Sequence, residues 1–465
     1  MKLTVIGGGG VRAPLLVATA LRRAGAIHLE ELCLMDIDSR RLNLIGGLCQ
    51  NLARWMDSPV HIVTSQDAWE ALDGANYIVT TIRAGGEYGR VLDERIALRQ
   101  GVLGQETTGP GGFAMAMRSI PAILEYARIA QTCAPRAWLF NFTNPAGLVT
   151  QALQDMGFER SVGICDGANL AQYDVARWLG IPLEQVQVEV FGLNHLSWTR
   201  RAWVGGKDVL PELLADPAFC AQSSLRVFEH ALVQLYNLYL NEYLYYYYYT
   251  EQAVEQIQKD AQTRGEEILA LNDALLGELE RPEVQVDPRR ALQIYLAYEK
   301  RRSLTYMHYA RQDAVHPGEF RPEEVTPANF SQIEASLEEG EGYAGVALDV
   351  ISSLESGKAL YTALNIPNQV AIQGMQFDDV VEVSAMVSGE AIQPLPIGSI
   401  PDHPASLMQS VKLYERLAVQ AILQRSTSLA IQALMAHPLV LSYSRAAHLL
   451  GEYLEAHADF IGDWK

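Results

Sequence analysis

The sequence predicts a doubly wound parallel α/β sheet with a C-terminal α+β domain behind it, and three observations carry the prediction. Short apolar runs bounded by glycine or charged residues recur at residues 3–6, 32–35, 61–63, 77–82, 137–142 and 162–164. Helix-like stretches lie between several of them, at 12–23, 40–55 and 114–132, and strand and helix in alternation build a parallel sheet covered on both faces. The first run ends in Gly7-Gly8-Gly9-Gly10, glycines placed where a strand must turn sharply into a helix.

The elements follow in order. Residues 2–6 enter the first strand directly, with no basic segment, apolar core or small-residue cleavage site of a secretory signal. The glycine turn would let a pyrophosphate approach the backbone at a helix N-terminus. Arg12 stands where the third glycine of the GxGxxG pattern belongs, so a plain tight turn is the competing reading. Asp36 ends the second run, roughly where a carboxylate binds the adenosine ribose diol, and a carboxylate there favours NAD over NADP by repelling the extra phosphate. The candidate cofactor-binding set is Gly7, Gly9, Val11, Arg12, Asp36 and Arg40. Residues 1–166 are thus expected to form a Rossmann-type domain. Beyond them the alternation loosens into a hairpin-like region (188–210), helical stretches (225–240 and 254–276), strand-like runs (360–366 and 380–387) and terminal helical segments (405–435 and 439–456). A second domain over 167–465 is expected, with no Pro/Ser/Gly-rich linker.

Composition narrows the function. With 465 residues and 49% hydrophobic content the chain can bury one large core or two ordinary ones. A net charge of −19 and a pI near 5.0 argue against nucleic acid or an anionic membrane as partner. The five cysteines are scattered without paired spacing, which fits a reducing cytoplasm. The tyrosine-rich stretch at 243–249 carries an adjacent Glu242 and is far shorter than the roughly 20 apolar residues of a membrane span.

Chemistry concentrates in two short segments, Gly163-Ile164-Cys165-Asp166 and Gly192-Leu193-Asn194-His195-Leu196. Taken singly, a cysteine is more often a small hydrophobe and a histidine a satisfied core residue. Cys165, however, ends a strand-like run where active sites open in such sheets, and thiolate and imidazole are natural transition-metal ligands. Two protein ligands leave coordination positions for substrate oxygens or water, which suits Lewis-acid chemistry. Gly85-Gly86-Glu87-Tyr88-Gly89-Arg90 and residues 104–112 read as polar, glycine-dense loops. Arg90 either clamps a phosphate or carboxylate or is a solvated surface arginine. Asn144, just before Pro145, either caps a helix or binds sugar or ribose hydroxyls.

Together these segments resemble glycoside hydrolase family 4, the NAD- and metal-dependent glycosidases, especially its 6-phospho-β-glucosidase-like branch. The residues that carry the likeness are the glycine-rich start, Ile82-Arg83-Ala84-Gly85 with Arg90, residues 101–112, Asn144-Pro145, the Cys165 and His195 segments, and Tyr243-Leu244. The resemblance implies a fold similar to lactate and malate dehydrogenases, bound NAD with Mn²⁺ or a similar ion, and a homodimer or homotetramer. It implies a reaction in which the sugar C3 hydroxyl is oxidised, a base removes the C2 proton, the aglycone leaves, water adds and the hydride returns. Cys165 and His195 would ligate the metal and Tyr243 would be the base. A tyrosine pKa near 10 makes it a poor base at neutral pH, so a nearby cation must favour its phenolate. Arg90 and Arg264 would hold a 6-phosphate, Asn144 would contact substrate, and Asp166 matches a carboxylate proposed as general acid in α-acting relatives.

The chain departs from the family pattern beside these residues. β-Acting relatives often carry Asn where Asp166 stands, Gly167-Ala168-Asn169 lacks the usual proline, and Tyr245 occupies a position where phospho-β-glucosidases commonly place Arg or Gln. The leading expectation is a cytoplasmic glycosidase for a β-glucoside, 6-phosphorylated in the family's manner. An α-linked or non-phosphorylated glycoside, and a 2-hydroxy-acid dehydrogenase on the same fold, are the alternatives.

Overall fold

The computed structural model describes residues 1–311, 342–389 and 391–465. The six apolar runs of the N-terminal third form β1 (Lys2–Ile6), β2 (Glu31–Met35), β3 (His61–Ser65), β4 (Tyr77–Thr80), β5 (Trp138–Asn141) and β6 (Ser161–Gly163). They pair in parallel in the order β3-β2-β1-β4-β5-β6. The connections reverse direction between β1 and β4, and a sheet of this kind binds its ligand at the carboxyl ends of the strands beside that point. β4 is buried throughout, whereas β3, at the sheet edge, leaves most of its residues partly or fully exposed.

Six helices connect these strands: α1 (Ala13–Arg22), α2 (Ser39–Trp55), α3 (Ala68–Leu72), α4 (Gly86–Arg99), α5 (Pro110–Cys133) and α6 (Ala146–Asp155). α4 corrects the reading of residues 85–90 as a loop. Gly85 sits at φ 83° as its N-cap, a left-handed conformation that glycine adopts without steric cost. The chain turns there and enters a helix at Gly86, so Arg90 is carried on a rigid element.

The second region begins with α7 (Leu170–Leu179) and an antiparallel sheet of β7 (Val186–Leu193), β8 (Leu196–Val204), β9 (Lys207–Asp208) and β10 (Tyr239–Leu240), in the order β10-β8-β7 with β9 on β8. The expected helix over 225–240 is broken. Its helical part, His230–Tyr236, ends at Asn237 in the left-handed region (φ 49°), and Tyr239–Leu240 then pairs with β8. The stretch 254–276 is likewise two helices, Thr250–Lys259 and Arg264–Leu279. Thr263 and Glu266 form a capping box that starts the second by satisfying backbone N–H groups reciprocally. At the C-terminal end, Ser426 accepts from the Leu429 N–H as an N-cap, dividing the expected segment 405–435 into the helices Asp402–Gln424 and Thr427–Ala436.

The expected division at residue 166 does not separate two sheets. β11 (Leu360–Pro367), β12 (Val380–Ser388) and β13 (Ala391–Pro394) run antiparallel and extend the first sheet from the β6 edge, giving nine strands among the described residues. β11 meets β6 where Asn365 faces Gly163. A Cβ at Gly163 would lie 2.4 Å from Thr150 Oγ1 and 2.9 Å from Asn365 Cβ, so only glycine lets the C-terminal strands approach so closely. Ser384 on β12 stitches the sheets together, accepting from the Val190 N–H at 2.8 Å and donating to the Val188 carbonyl at 2.7 Å. The β7–β8 hairpin is thereby fixed against the carboxyl end of β6. Among the described residues no helix is long and apolar enough to cross a membrane.

Candidate active site

A cavity of about 810 Å³ opens at the carboxyl ends of β1, β4, β5 and β6. Of the residues singled out in the sequence, Arg12, Arg90, Asn144, Cys165, Asp166, His195, Tyr243 and Arg264 all line it.

The expected cofactor site is the glycine turn that leads into Arg12. The Gly7 and Gly8 N–H groups donate to the Met35 carbonyl at 2.9 and 2.8 Å. Gly7 has φ 93° and a Cβ there would lie 2.8 Å from the Thr81 carbonyl oxygen, so the turn requires glycine. Asp36 is held at the same turn, its Oδ2 accepting from Gly9 N–H at 3.0 Å and its Oδ1 from Asp38 N–H at 3.0 Å. Burial raises its pKa, against those two donors. Val11 is buried beside the turn, and Arg12 occupies the N-cap of α1. Arg40 does not join them: its guanidinium is exposed and forms a bidentate pair with Glu280 at 2.5 and 2.9 Å. That salt bridge joins α2 to the end of the helix Arg264–Leu279.

The two expected metal ligands stand on two turns. Cys165 leads from β6 into the 3₁₀ turn Asp166–Asn169. Burial pushes its thiol pKa up, and the nearby Glu382 and Asp166 charges push it further. His195 lies in the two-residue connection between β7 and β8 at φ 61°, a left-handed conformation that costs a non-glycine residue ~1–3 kcal/mol and clusters at functional sites. Its ring stacks on Tyr243 with centroids 3.6 Å apart and planes 6° from parallel. Burial lowers its pKa to about 3, leaving a neutral imidazole with ligand capacity, and its Nδ1 is buried without a hydrogen-bond partner. A soft thiol beside a neutral imidazole with an unpartnered nitrogen fits a divalent transition metal. No group of three or more His, Cys, Asp or Glu is arranged for a metal among the described residues. Remaining coordination positions would thus fall to substrate or water.

Tyr243 belongs to the 3₁₀ turn Glu242–Leu244, capped by Asn241, whose Oδ1 accepts the Tyr243 N–H at 3.0 Å. Asn241 Nδ2 also donates to the Gly167 carbonyl and Ser197 Oγ, both at 3.1 Å, which ties the tyrosine to the Cys165 turn and to β8. The Tyr306 hydroxyl donates to Tyr243 Oη at 2.5 Å. Burial raises the Tyr243 pKa well above its ordinary value, and Glu242, Cys165 and Asp166 add to it, with the Tyr306 bond opposing. The charges acting most on this phenol are anionic. A cation held by Cys165 and His195 would favour its phenolate. Of the tyrosine cluster only Tyr243 and Tyr246 line the cavity. Tyr245, in the place of the family's Arg or Gln, is buried and stacks on Tyr249 at 5.1 Å.

Opposite lies a group of arginines. Arg90 is buried, donating to Glu94 Oε1 at 2.7 Å and standing 3.2 Å from Glu106 Oε2. Arg83 pairs with Glu106 at 2.5 Å and Glu87 at 3.1 Å. Burial would raise the Glu106 pKa, but Arg83 and Arg90 outweigh it and hold the carboxyl well below the usual range. Arg264 donates to Glu267 Oε2 at 2.7 Å, Thr305 Oγ1 at 2.8 Å and the Arg302 carbonyl at 2.8 Å, and lies over the Tyr306 ring at 5.7 Å. Asn144 reaches the cavity from a cis Asn144–Pro145 peptide.

Sequence reasoning missed Glu106, Glu242, Tyr306 and Arg302, which also line the cavity. Glu242 carried a signal, as the acidic neighbour of Tyr243. Tyr306 and Arg302 come from the helix Pro288–Leu304 and the turn after it, with no local motif to mark them.

Comparison with known proteins assigns the chain to a family. The description "Family 4 glycosyl hydrolase" matches residues 2–181 and "Family 4 glycosyl hydrolase C-terminal domain" matches residues 190–440. The chain belongs to glycosyl hydrolase family 4 and is a glycosidase. It is 30% identical to a Bacillus subtilis "Probable 6-phospho-beta-glucosidase", over 99% of this chain and 97% of the relative. It is 26% identical to the phospho-alpha-glucosidase PagL of Clostridium acetobutylicum, over 99% of this chain and 98% of the relative. The 6-phospho-beta glucosidase of Thermotoga maritima, solved with manganese, NAD⁺ and glucose-6-phosphate, superposes with a TM-score of 0.80 at 27% identity and 99% coverage of both chains. A 6-phospho-alpha-glucosidase from gut microorganisms, solved with NAD and Mn²⁺, has the same fold, with a TM-score of 0.82 at 23% identity over 100% of this chain and 99% of that one.

Proposed function

We propose that this glycosidase cleaves a 6-phospho-β-glucoside by transient oxidation at C3, removal of the C2 proton, elimination of the aglycone, addition of water and re-reduction. NAD and a divalent ion such as Mn²⁺ are its cofactors. The observation that carries this reading is the stacking of His195 on Tyr243 in one cavity with Cys165 and the glycine turn's Arg12. Gly7, Gly9 and Asp36 would hold NAD, and Cys165 and His195 the ion. When bound, the two supply a reversible hydride acceptor and Lewis-acid polarisation of the C3 oxygen.

The chain's own residues do the rest. Tyr243, as phenolate, takes the C2 proton, and the Tyr306 hydroxyl stabilises that phenolate by donating to it. Arg90 and Arg264 are fixed by carboxylates on their own helices, so they meet a substrate phosphate already oriented, at little entropic cost. Asn144 contacts the sugar, and Asp166 is the acid of the α-linked alternative. The β assignment is supported by three relatives named 6-phospho-beta-glucosidases at 27–30% identity, against 24–26% for the α-glucoside enzymes PagL and MalH of Clostridium acetobutylicum and the maltose-6'-phosphate glucosidase of Bacillus subtilis. We also infer a cytoplasmic location, supported by five free cysteines.

A panel of p-nitrophenyl α- and β-glucosides, each with and without a 6-phosphate, tests the reading under reducing conditions with NAD⁺ and Mn²⁺. Release of p-nitrophenol from the phosphorylated β-glucoside, without net NADH, is expected. Turnover of the α-anomers or unphosphorylated sugars alone would overturn the substrate assignment, and sustained NADH from a hydroxy acid would overturn the reaction.

A further inference from the structure

The reaction assigned above needs a proton donor for the departing oxygen, because an unactivated alkoxide leaves poorly. Glu242 meets the geometric requirements. It lines the cavity from the same 3₁₀ turn as Tyr243, so the two side chains enter the site from one backbone segment. The Tyr306 hydroxyl stands beside both: its proton goes to Tyr243 Oη at 2.5 Å, which leaves its oxygen to accept from a protonated Glu242 carboxyl next to it. Position, backbone anchoring and this shared partner make Glu242 part of the reacting constellation, although no motif marked it.

We propose that Glu242 is the general acid that protonates the departing aglycone oxygen and the general base that then activates water. The proposal rests on the reading of Tyr243 as the C2 base. In the first half of the reaction the carboxyl proton passes to the glycosidic oxygen as the C1–O bond breaks, with its electron pair going to that oxygen. The electrons of the C2–H bond, whose proton has gone to Tyr243, become the C1–C2 double bond. In the second half the Glu242 carboxylate takes a proton from water as the water oxygen bonds to C1, and Tyr243 returns its proton to C2. Both side chains end as they began, and water is consumed.

The surroundings suit both roles. Burial raises the Glu242 pKa to about 7, and the Asp166 charge adds to the rise, against the neighbouring Tyr306 hydroxyl and the Arg226 and Arg311 charges. The Glu242 charge in turn raises the pKa of Tyr239, Tyr243 and Tyr246. An acid–base group with a pKa close to the working pH gives and takes a proton with comparable ease. Asp166, the residue after Cys165, is the competing candidate.

The discriminating experiment varies the leaving group. Methyl and p-nitrophenyl 6-phosphoglucosides, of the anomer that the wild type cleaves, are compared with NAD⁺ and Mn²⁺ for the wild type, E242Q, E242D and D166N. General acid catalysis is worth ~10²–10⁴-fold, so E242Q should lose at least ~100-fold in kcat/KM on the methyl substrate. p-Nitrophenolate leaves without help, so that substrate should lose under ~5-fold, and C2–deuterium exchange should persist. E242D, whose acid is one methylene shorter, should shift the ratio of the two substrates in the same sense but less. It decides the matter if E242Q no longer binds NAD. Equal losses on both substrates, an E242D ratio equal to wild type, or an aglycone-dependent loss in D166N instead would overturn the proposal. Absence of C2 exchange in the wild type would instead overturn the reading of Tyr243 on which it rests.

Discussion

Tyr306→Phe removes a single hydroxyl, the one that donates to Tyr243 Oη at 2.5 Å, and leaves the ring in place. The ring's contacts should survive, namely the Arg264 guanidinium 5.7 Å above it and the edge-on contact with Tyr243 at 6.5 Å and 79°. The predicted defect is therefore electrostatic. A hydrogen bond to a charged group contributes ~1.5–3 kcal/mol. At about 1.36 kcal/mol per pKa unit, losing it raises the Tyr243 pKa by roughly one to two units. Less phenolate is then present at neutral pH, and C2 proton removal should slow by roughly 10- to 100-fold. The assay is deuterium incorporation at C2 of the released sugar in D₂O, followed by NMR, together with the primary isotope effect on a C2-deuterated substrate. Exchange should fall by that factor, the isotope effect should rise or stay large, and KM should stay near wild type. Exchange within about twofold of wild type, or a loss carried entirely by KM, would refute the assignment of Tyr306 as the donor that stabilises the base.

Other perturbations read other parts of the site. Cys165→Ser should weaken Mn²⁺ binding by ~100-fold or more, since even outer-shell changes cost ~10–100-fold, while NAD titrations stay unchanged; equal Mn²⁺ affinity in a competition titration would remove Cys165 from the ligands. Asp36→Ala should weaken NAD by ~10- to 100-fold, as expected for a lost charge-assisted bond, and narrow the preference over NADP; unchanged fluorescence titrations for both would displace Asp36 from the ribose. Asp93 and Arg118 form a fully buried pair in which Arg118 Nε also donates to the Ala84 carbonyl at 2.9 Å, so Asp93→Asn should cost ~3–5 kcal/mol by leaving a buried cation uncompensated. A loss under ~1 kcal/mol in urea unfolding would contradict that pairing. Glu106 has a folded pKa below its unfolded value, so its stabilisation is complete above roughly pH 4.3 and is lost as pH falls through that value toward the folded pKa. Glu106→Gln should lower stability at pH 7 and flatten the acid limb of the urea midpoint against pH; an unchanged acid limb would contradict it.

The parallel sheet was legible because each of its strands is a local apolar run, and the glycine turn because close backbone approach to Thr81 and to Asp36 leaves glycine no substitute. Cys165, His195 and Tyr243 were legible for a similar reason: each stands in a short segment whose neighbours do the positioning, namely the β6 end, the β7–β8 connection and the Asn241 cap. What escaped depends on pairings distant in sequence. β11 joins the first sheet at β6 through Asn365 and Gly163, about 200 positions apart, which no periodicity in either segment announces. Gly85, Gly86 and Gly89 suggest a loop where the structure has α4, because Gly85 and Gly86 use positive φ (83° and 65°) only to turn the chain into the helix. Arg40 lies one residue inside α2, close in sequence to Asp36, and only the fold reveals Glu280 beside it.

The distribution of charge explains why one cavity can serve two purposes. At its arginine end Arg83, Arg90 and Arg264 are paired with carboxylates, and Glu106 is correspondingly held in its ionised form. At the Tyr243 end the balance is opposite. Cys165 and Tyr243 are pushed up by burial and by neighbouring acidic groups, and Glu242 and Glu382 are raised to about 7. Buried groups of one sign raise one another in this way until a counter-charge is supplied. A divalent ion held by Cys165 and His195 would supply it, favouring the thiolate and lowering the cost of a Tyr243 phenolate stacked on the same imidazole. A ligand pair and a base in ring contact should therefore respond together. In Cys165→Ser the loss of ion affinity and the loss of C2 exchange should follow the same Mn²⁺ titration, and separation of the two midpoints would mean that the base is activated by something other than the ion.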